Sequence, residues 1–407
     1  MLLFDTMTRE KQVFQPYGDT VTLYVCGVTP YDTTHLGHAR TYLLFDVLQR
    51  YWRHLGFGVR YVQNVTDVDD PLIAKAHELG MDYQELARQY VDIFLNDLRD
   101  LNILMPDVYP RVTEEIPGII DTIRVLVERG MAYARSGSVY FRSAHFPDYG
   151  VMSRLDRPAM FEAHAETGEN PRDPNKEDPL DFRLWQAAQP REPVWESPWG
   201  PGRPGWHIEC STMASRYLGS RLDVHGGGAD LVFPHHCSEI AQSESATGDA
   251  PFAQYWVHGG LVWMDGEKMS KSRGNMVFAR ELIARYGAGA LRYYLLSVPY
   301  REKLEYFAED MAAVAQRWER IVAASGGPAD EGDTEVSARV RAATLAALDD
   351  DLDTPRALAG LDELAAAAHA QGNPSDRAVL RSLLELMGFE TPLPLGEAGE
   401  GPQARAG

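Results

Sequence analysis

The feature that most constrains the fold is a strand–helix–strand pattern near the amino terminus. Residues 21–28 form an apolar run typical of a buried strand, and residues 58–65 form a second one. Between them, residues 35–55 carry apolar side chains at helical spacing, and Gly56 closes the segment. Parallel strands need such a crossover, so the pattern predicts the β-α-β unit of a parallel sheet.

The remaining chain continues this pattern around an interruption. Residues 222–225 and 255–263 are predicted strands on either side of a helix at about 230–246. Residues 130–205 interrupt the alternation of strands and helices, because they contain a short strand of alternating pattern and then a polar, proline-rich stretch. We predict that this stretch is an insertion covering a site, and that the chain is nearly all helix from about residue 306.

Further helices are predicted from periodicity and from end signals. Apolar spacing predicts helices at about 82–103, 115–129 and 279–286. In the helical region, Thr354 is the predicted N-cap with Pro355 in the first helical position, and Gly372 ends that helix. Ser375 is predicted to begin the next one.

Composition limits the possible functions. The net charge of −20 argues against a general nucleic-acid binder, although a local basic groove near Lys268, Lys271 and Arg273 is compatible with it. We see no run of about 18 apolar residues and no signal peptide, so we predict a cytoplasmic protein without a membrane span. The 3 cysteines are too few for a disulfide framework.

Two histidines mark the predicted start of the first helix. His35 and His38 are three residues apart, so their rings project on one side of its first turn. Gly37 between them leaves room for a flat group near the backbone. Helix amino termini attract anions, and these imidazoles could bond phosphate oxygens in a transition state. The alternative is a pair of surface or capping histidines.

A second motif is a loop rich in lysine and serine. Lys268 and Lys271 lie with Ser270 and Ser272 in a glycine-flanked segment after a predicted strand. Lysines there suit transient binding of a leaving pyrophosphate, and the alternative is a solvated basic loop. Three glycines that follow an earlier strand would let a ligand approach the backbone or would form a flexible turn, and they match no nucleotide fingerprint. They are Gly226, Gly227 and Gly228.

A possible metal site is spread over distant parts of the chain. Cys26 ends the first strand, Cys210 begins a later helix, and His235 and Glu239 are four apart on the predicted helix. Strand carboxyl ends and helix amino ends meet at one edge of a parallel sheet, so the four residues suit a tetrahedral zinc site. Buried structural thiols are the alternative. Cys237 is predicted to face elsewhere, and His236 has no assigned role.

The motifs together resemble the bacterial cysteinyl-tRNA synthetases, a class I aminoacyl-tRNA synthetase family. The resemblance covers residues 1 to about 390, and the run GRPGWHIEC is its most specific part. The segments that carry it are Tyr24–Asp32, His35–His38, Asn64–Asp70, Arg203–Cys210, His225–Asp230, Phe233–His236 and Lys268–Ser272.

The resemblance implies an α/β fold of the class I synthetase type. A Rossmann-type parallel sheet would be split by a connecting insertion and followed by an all-α helical bundle. The implied divisions are 1–110 and 205–262 for the halves of the nucleotide-binding domain, 111–204 for the insertion, 263–305 for the signature-loop and stem-contact region, 306–392 for a bundle of the anticodon-binding type, and 393–407 for a disordered tail.

The resemblance also implies ligands and residue roles. The implied substrates are L-cysteine, ATP with Mg²⁺, and tRNA(Cys), with one Zn²⁺ in each monomeric chain. Zinc would lie on Cys26, Cys210, His235 and Glu239. The implied catalytic residues are His35, His38, Lys268 and Lys271. ATP would also contact Gly37, Gly226, Gly227, Gly228 and Asp230, and the amino acid would lie near Trp206 and Thr66.

Two other functions stay open. Many bacterial members continue past the bundle into a small domain that helps to read the anticodon, whereas this chain stops near 390 plus a tail. A relative, the mycothiol-pathway ligase, joins cysteine to the amine of glucosaminyl-inositol. Thr29–Asp32, Asp69–Pro71 and Asp351–Pro355 favour that ligase, whereas Glu239 and Pro179–Trp185 favour the synthetase. The other alternative is a catalytically silent paralogue that binds cysteine or tRNA.

Overall fold

The computed structural model describes residues 1–269 and 273–390. The strands are β1 (Leu2–Asp5), β2 (Glu10–Val13), β3 (Thr20–Val28), β4 (Gly58–Val65), β5 (Ala132–Arg135), β6 (Ser138–Phe141), β7 (Phe182–Ala187), β8 (Gly202–Pro204), β9 (Leu222–Gly228), β10 (Ala253–Gly259), β11 (Val262–Met264), β12 (Glu267–Lys268) and β13 (Leu304–Glu305). The helices are α1 (Leu36–His54), α2 (Asp70–Leu79), α3 (Tyr83–Asp100), α4 (Val112–Glu128), α5 (Arg157–Glu166), α6 (Trp206–Leu218), α7 (Cys237–Thr247), α8 (Ala279–Tyr286), α9 (Ala288–Leu296), α10 (Ala308–Ser325), α11 (Glu335–Asp349), α12 (Thr354–Gln371) and α13 (Pro374–Leu386).

The centre of the molecule is a parallel sheet in the order β10-β9-β3-β4. All three pairings are parallel, and Tyr24 lies between Val62 on one side and His225 on the other. The strands are buried on both faces, as a doubly covered parallel sheet requires. The β-α-β unit predicted from the sequence is therefore confirmed, with α1 as its crossover.

Helix α1 packs its apolar residues against the sheet and orients its own amino end. Leu43, Phe45, Val47 and Leu48 are 0% exposed. A Cβ on Gly226 would come within 2.2 Å of the Phe45 ring, so this glycine lets the helix approach β9 closely. The start of α1 is thereby held at the carboxyl edge of the sheet, where ligands bind in open α/β folds.

The predicted insertion is a separate antiparallel sheet. Its strand order is β5-β6-β7-β8, and the one strand predicted there from alternation is β6. Phe141 and Phe182 stack inside it with centroids 5.0 Å apart. The amide of Gly205 donates to the carbonyl of Leu184 at 2.9 Å, so this sheet leads directly into α6.

One helix was not predicted from the sequence, and two predicted helix starts were wrong. The helix predicted over about 82–103 is α3, which starts as expected, but it follows the unpredicted helix α2, which ends at Gly80 with φ +65°. The N-cap of α12 is Asp353 and not Thr354, because the Asp353 carboxylate accepts from the amide of Arg356. Similarly, Asn373 caps α13 in front of Pro374, one residue before the predicted start at Ser375.

The carboxyl-terminal helices pack onto the sheet domain through a buried arginine. Arg292 on α9 pairs with Asp46 on α1 and donates to the carbonyls of Leu101 and Met387, both at 2.8 Å. The Arg292 side chain is 1% exposed, and this ion pair and these hydrogen bonds compensate the cost of burying its charge. Among the described residues, no helix is both long enough and apolar enough to cross a membrane.

Candidate active site

A cavity of about 460 Å³ opens at the carboxyl edge of the parallel sheet. Its lining combines the start of α1, the end of β9 and the segment around β12. Of the predicted site residues, it brings together Cys26, His35, Gly37, His38, Gly228, Asp230 and Lys268.

The two histidines stand at the amino end of α1 as predicted. His35 is the N-cap, and its Nδ1 accepts a hydrogen bond from the backbone amide of His38 at 3.3 Å. The two rings stack with centroids 3.6 Å apart. A Cβ on Gly37 would lie 2.9 Å from the His35 ring, so the space left by this glycine is taken by that imidazole.

Lys268 and Asp230 also line this cavity, and they form an ion pair with each other. The Nζ atom of Lys268 lies 3.0 Å from Oδ2 of Asp230, and the two side chains are 44% and 47% exposed. The pair therefore closes one side of the cavity without burying either charge. Lys271, the other predicted catalytic lysine, lies outside the described residues.

The three glycines after β9 differ in their surroundings. Gly226 faces Phe45, and a Cβ on Gly227 would approach Leu231 and His236 within 2.8 and 3.2 Å. Only Gly228 of the three lines the cavity described here. The first two glycines therefore serve internal packing, and the assignment of ATP contacts to them stays a prediction.

The four predicted metal ligands converge next to this cavity. One ligand atom from each of Cys26, Cys210, His235 and Glu239 lies within 4.8 Å of the others. The Cys26 thiol is 3.8 Å from that of Cys210 and donates to Oε1 of Glu239 at 3.5 Å. Cys26 also lines the cavity, so it joins the cluster to the space beside the histidines.

The segment that carries His235 is less regular than predicted. The helix expected over 230–246 is a single turn, Ala229–Leu231, then an irregular π-type turn, Val232–His236, and only then α7. Phe233 has extended backbone angles (φ −139°, ψ 135°), which interrupts the helix. His235 and Glu239 still meet, with Nε2 and Oε1 3.2 Å apart.

Burial controls the charge state of the cluster. It raises the pKa of the Cys26 thiol and of the Glu239 carboxyl well above their usual ranges. Burial also lowers the pKa of His235, with a smaller contribution from the neighbouring His207 and His225. Without a cation the cluster therefore favours its neutral form, because isolated buried charges are costly.

These residues fit a zinc ion. Two sulfurs, one nitrogen and one oxygen are a donor set that zinc accepts in tetrahedral geometry. The Nε2 atom of His235 is buried and forms no well-oriented hydrogen bond within the described residues, as expected for a nitrogen that ligates a metal. A divalent cation would also compensate the thiolates and the carboxylate once their protons leave.

Three buried histidines around the cluster were missed by the sequence analysis. His225 lies 2.9 Å from Oε2 of Glu239, and His236 lies 3.3 Å from the Cys26 sulfur. His258 lies 2.7 Å from His236, and Cys26, His225, His236 and Glu239 form a second group close enough to hold a metal. A signal was present, because polar residues such as His225 and His258 are out of place in fully buried strands.

Of the two residues predicted to lie near the amino acid, Trp206 contacts the cluster directly, whereas Thr66 forms its hydrogen bonds with other residues. Trp206 stacks on the His235 ring with centroids 4.3 Å apart. The Thr66 hydroxyl donates to Glu209 at 3.3 Å and accepts from Asn64. Asn64 also accepts from the amide of Gly27 at 2.8 Å, which ties the end of β3 to β4. Neither Trp206 nor Thr66 lines the cavity, so their contact with a substrate stays a prediction.

Comparison with known proteins gives close relatives of two kinds. The chain is 44% identical over 403 residues to the cysteine–tRNA ligase of Thermococcus onnurineus, covering 94% of this chain and 83% of that protein. It is also 50% identical over 358 residues to the L-cysteine:1D-myo-inositol 2-amino-2-deoxy-alpha-D-glucopyranoside ligase of a Parafrankia species, covering 88% of this chain and 80% of the other.

Solved structures support the fold independently. The methionyl-tRNA synthetase of Mycobacterium tuberculosis, in complex with methionyl-adenylate, superposes with a TM-score of 0.64 over 90% of this chain and 88% of its own, at 18% identity. The Agrobacterium radiobacter LeuRS of a complex with tRNA gives a TM-score of 0.62 over 92% and 83%, at 11% identity. Residues 13–316 match the family model of the tRNA synthetases class I (C) catalytic domain. With this match and these relatives, the chain belongs to the class I tRNA synthetases of the C type.

Proposed function

We propose that the protein activates L-cysteine with ATP and transfers the cysteinyl group to the 3′ end of tRNA(Cys). The observation that carries this proposal is the position of Cys26. Its thiol belongs both to the buried cluster with Cys210, His235 and Glu239 and to the lining of the cavity that holds His35 and His38. Under this proposal, the site that binds the cysteine thiol adjoins the site that binds the ATP phosphates.

The proposed activation step is a displacement at phosphorus. The cysteine carboxylate attacks the α-phosphorus of ATP, and pyrophosphate leaves as cysteinyl-adenylate forms. His35 and His38 would bond phosphate oxygens at the amino end of α1, where the helix dipole also favours negative charge. Lys268 would exchange Asp230 for the leaving pyrophosphate, and Lys271 is proposed to act with it.

The transfer step and the cofactor complete the proposal. An acceptor hydroxyl attacks the carbonyl carbon of the adenylate, and AMP leaves. One Zn²⁺ per chain, when bound to the four cluster residues, would supply a Lewis acid that prefers the thiol of cysteine to the hydroxyl of serine. We also propose Mg²⁺ with ATP, a monomeric state and a cytoplasmic location.

A second candidate acceptor is the amine of glucosaminyl-inositol. It is favoured by the 50% identity to the Parafrankia ligase, whereas the family resemblance at Glu239 and at Pro179–Trp185 favours the tRNA ligase. The activation step is the same for both, so only the acceptor separates them.

The test has two stages. Exchange of labelled pyrophosphate into ATP should depend on cysteine and should be at least ~100-fold weaker with serine. Labelled cysteine should then pass to total tRNA and not to glucosaminyl-inositol. Transfer to the amino sugar alone would establish the second candidate, and absence of exchange would indicate a silent paralogue.

A further inference from the structure

A chain of hydrogen-bonded side chains leads from the Cys26 sulfur to Thr6, the residue that follows β1. The Nε2 atom of His236 lies 3.3 Å from that sulfur, and its Nδ1 atom lies 2.7 Å from Nε2 of His258. The Nδ1 atom of His258 lies 2.8 Å from the Thr6 hydroxyl. These residues are at most 6% exposed, so the chain is largely shielded from water.

Thr6 is fixed in front of His258 by the strand that carries this histidine. The Thr6 amide donates to the carbonyl of Trp256 on β10 at 2.9 Å. The amide of Trp256 in turn donates to the carboxylate of Asp5 at 3.0 Å. The turn after β1 is thus tied to β10 at two points, so backbone geometry holds the Thr6 hydroxyl against the His258 ring two residues further along the strand.

Both histidine rings of this chain are held in their neutral form. Burial lowers the pKa of His258 to about 3, with smaller contributions from His225 and Arg9. Burial also lowers the pKa of His236 well below its usual range, and the neighbouring histidines lower it further. Near neutral pH each ring therefore has one N–H, which donates, and one bare nitrogen, which accepts. The hydrogen-bond partners of a ring determine which nitrogen carries the hydrogen.

The Cys26 sulfur determines the direction of the bonds from one end of the chain. A cysteine that ligates a metal is a thiolate, which accepts hydrogen bonds and donates none. His236 must then carry its hydrogen on Nε2, so its Nδ1 atom accepts from the Nε2–H of His258. The Nδ1 atom of His258 is therefore an acceptor, and the Thr6 hydroxyl supplies the hydrogen for it.

We propose that Thr6 is a positioning residue for the candidate metal site, because its hydroxyl keeps an imidazole N–H pointed at the Cys26 sulfur. It acts through His258 and His236, and the proposal rests on the metal site of the proposed function. An N–H···S bond compensates part of the charge of a buried thiolate. Without the hydroxyl, His258 is free to carry its hydrogen on Nδ1, and the bare Nε2 of His236 then faces the sulfur.

Cobalt(II) bound to the full-length chain in place of zinc reports on this hydrogen bond through its thiolate-to-cobalt charge-transfer band. Thr6→Val keeps the shape of the side chain and removes the hydroxyl. Its band should move to lower energy, because a thiolate that has lost a hydrogen bond gives up electrons more readily. The Kd of Co²⁺, measured by competition with a chelator, should rise about 3- to 10-fold. Thr6→Ser keeps the hydroxyl and loses only the methyl group, so it should retain the wild-type band and Kd.

Thr354→Val is the matched control for the loss of a buried hydroxyl. Thr354 is 1% exposed, and its hydroxyl donates to the carbonyl of Leu296 at 2.7 Å. The same substitution therefore removes a buried threonine hydrogen bond between α12 and α9, in a different part of the molecule. Both the cobalt band and the Kd of Co²⁺ should keep their wild-type values in this variant.

Several outcomes would overturn the role of Thr6. An unchanged band in Thr6→Val would do so, and so would equal changes in Thr6→Val and in either Thr6→Ser or Thr354→Val. If the wild type shows no thiolate band with one equivalent of Co²⁺, the metal site fails and the role of Thr6 fails with it. A wild type that has the band but lacks cysteine-dependent pyrophosphate exchange would contradict the proposed function alone, and a shifted band in Thr6→Val would still support the role of Thr6.

Discussion

On one side of the 460 Å³ cavity the four candidate zinc ligands are at most 5% exposed, whereas on the other side Lys268 and Asp230 are 44% and 47% exposed. The buried side is held by neighbours on several elements, such as Trp206 over His235. The exposed side is held by one ion pair, and pairs of this kind are worth about 0–1 kcal/mol. In the proposed function, the buried side would select the amino acid by fixed geometry, while the exposed side would exchange its ion pair for phosphate.

The largest effect is expected when the buried side is broken. Cys210→Ser should lower the zinc content and should reduce cysteine-dependent pyrophosphate exchange by more than ~100-fold, since even residues that only support metal ligands often matter 10- to 100-fold. Metal analysis and exchange assays measure this.

Cys237→Ser is the matched control. Cys237 is buried, and the backbone amides of Ser153, Gly150 and Met152 face its sulfur, so a hydroxyl can accept the same bonds. The Cys237→Ser variant should keep both its zinc and its pyrophosphate-exchange activity. Undiminished zinc in Cys210→Ser, with serine still rejected, would contradict the site.

A second large effect is expected at the start of α1. His38→Ala should slow exchange about 100- to 1,000-fold, the usual loss for one donor to developing charge, while zinc content stays the same. His54→Ala, in the last turn of the same helix, is the control. Similar losses in both variants would mean that the histidine supports the helix and not the reaction.

A moderate effect on stability is expected from pH, because the insertion contains the buried histidine His164. Burial lowers the pKa of His164 to about 4. The pKa of this histidine is near 6.5 in the unfolded chain. At a pH between about 6.5 and 4, the unfolded chain therefore binds a proton that the folded protein does not. The free energy of unfolding falls as the pH is lowered through this window. His164→Gln, which can still meet the Tyr149 hydroxyl, should flatten this acid limb by up to about 1.4 kcal/mol per pH unit in urea unfolding.

The control for this experiment is His369, for which the same substitution should leave the pH dependence of unfolding as it is in the wild type. His369 lies in the last turn of α12 and is exposed. An acid limb that stays equally steep in His164→Gln would show that other groups produce it.

The smallest effect is expected on the stability of the exposed side. Asp230→Asn should change the free energy of unfolding by less than about 1 kcal/mol, because both charges of the pair are already hydrated. Glu78→Gln, which breaks the surface pair with Lys75, provides the comparison. A loss of several kcal/mol in Asp230→Asn alone would mean that the pair holds the cavity together.

The sequence was most informative where local rules decide the structure. The apolar runs that became β3 and β4 and the helix start at His35 needed only periodicity and end signals. The convergence of Cys26 with Cys210 followed from the rule that strand and helix ends meet at one sheet edge, together with the family resemblance. The domain divisions taken from that resemblance stay predictions.

Local rules failed where a neighbour distant in sequence decides the conformation. Phe233 interrupts a segment that reads as helix, and its ring packs edge-on against His164 of the insertion. The role of Gly226 depends on Phe45, which lies on a different element. Asp353 replaced Thr354 as a cap, and both residue types are good N-caps, so propensity could not separate them.

By itself, the sequence predicted the parallel sheet, the position of the histidine pair and four residues that the fold brings close enough to hold a metal ion. Only the tertiary structure decided that His225 and His236 lie beside that set and that Lys268 pairs with Asp230 in the lining of the cavity. The physical reason is range. Helix and strand patterns arise from neighbours within a few residues, whereas burial, pKa and metal geometry depend on atoms that folding brings together from distant parts of the chain.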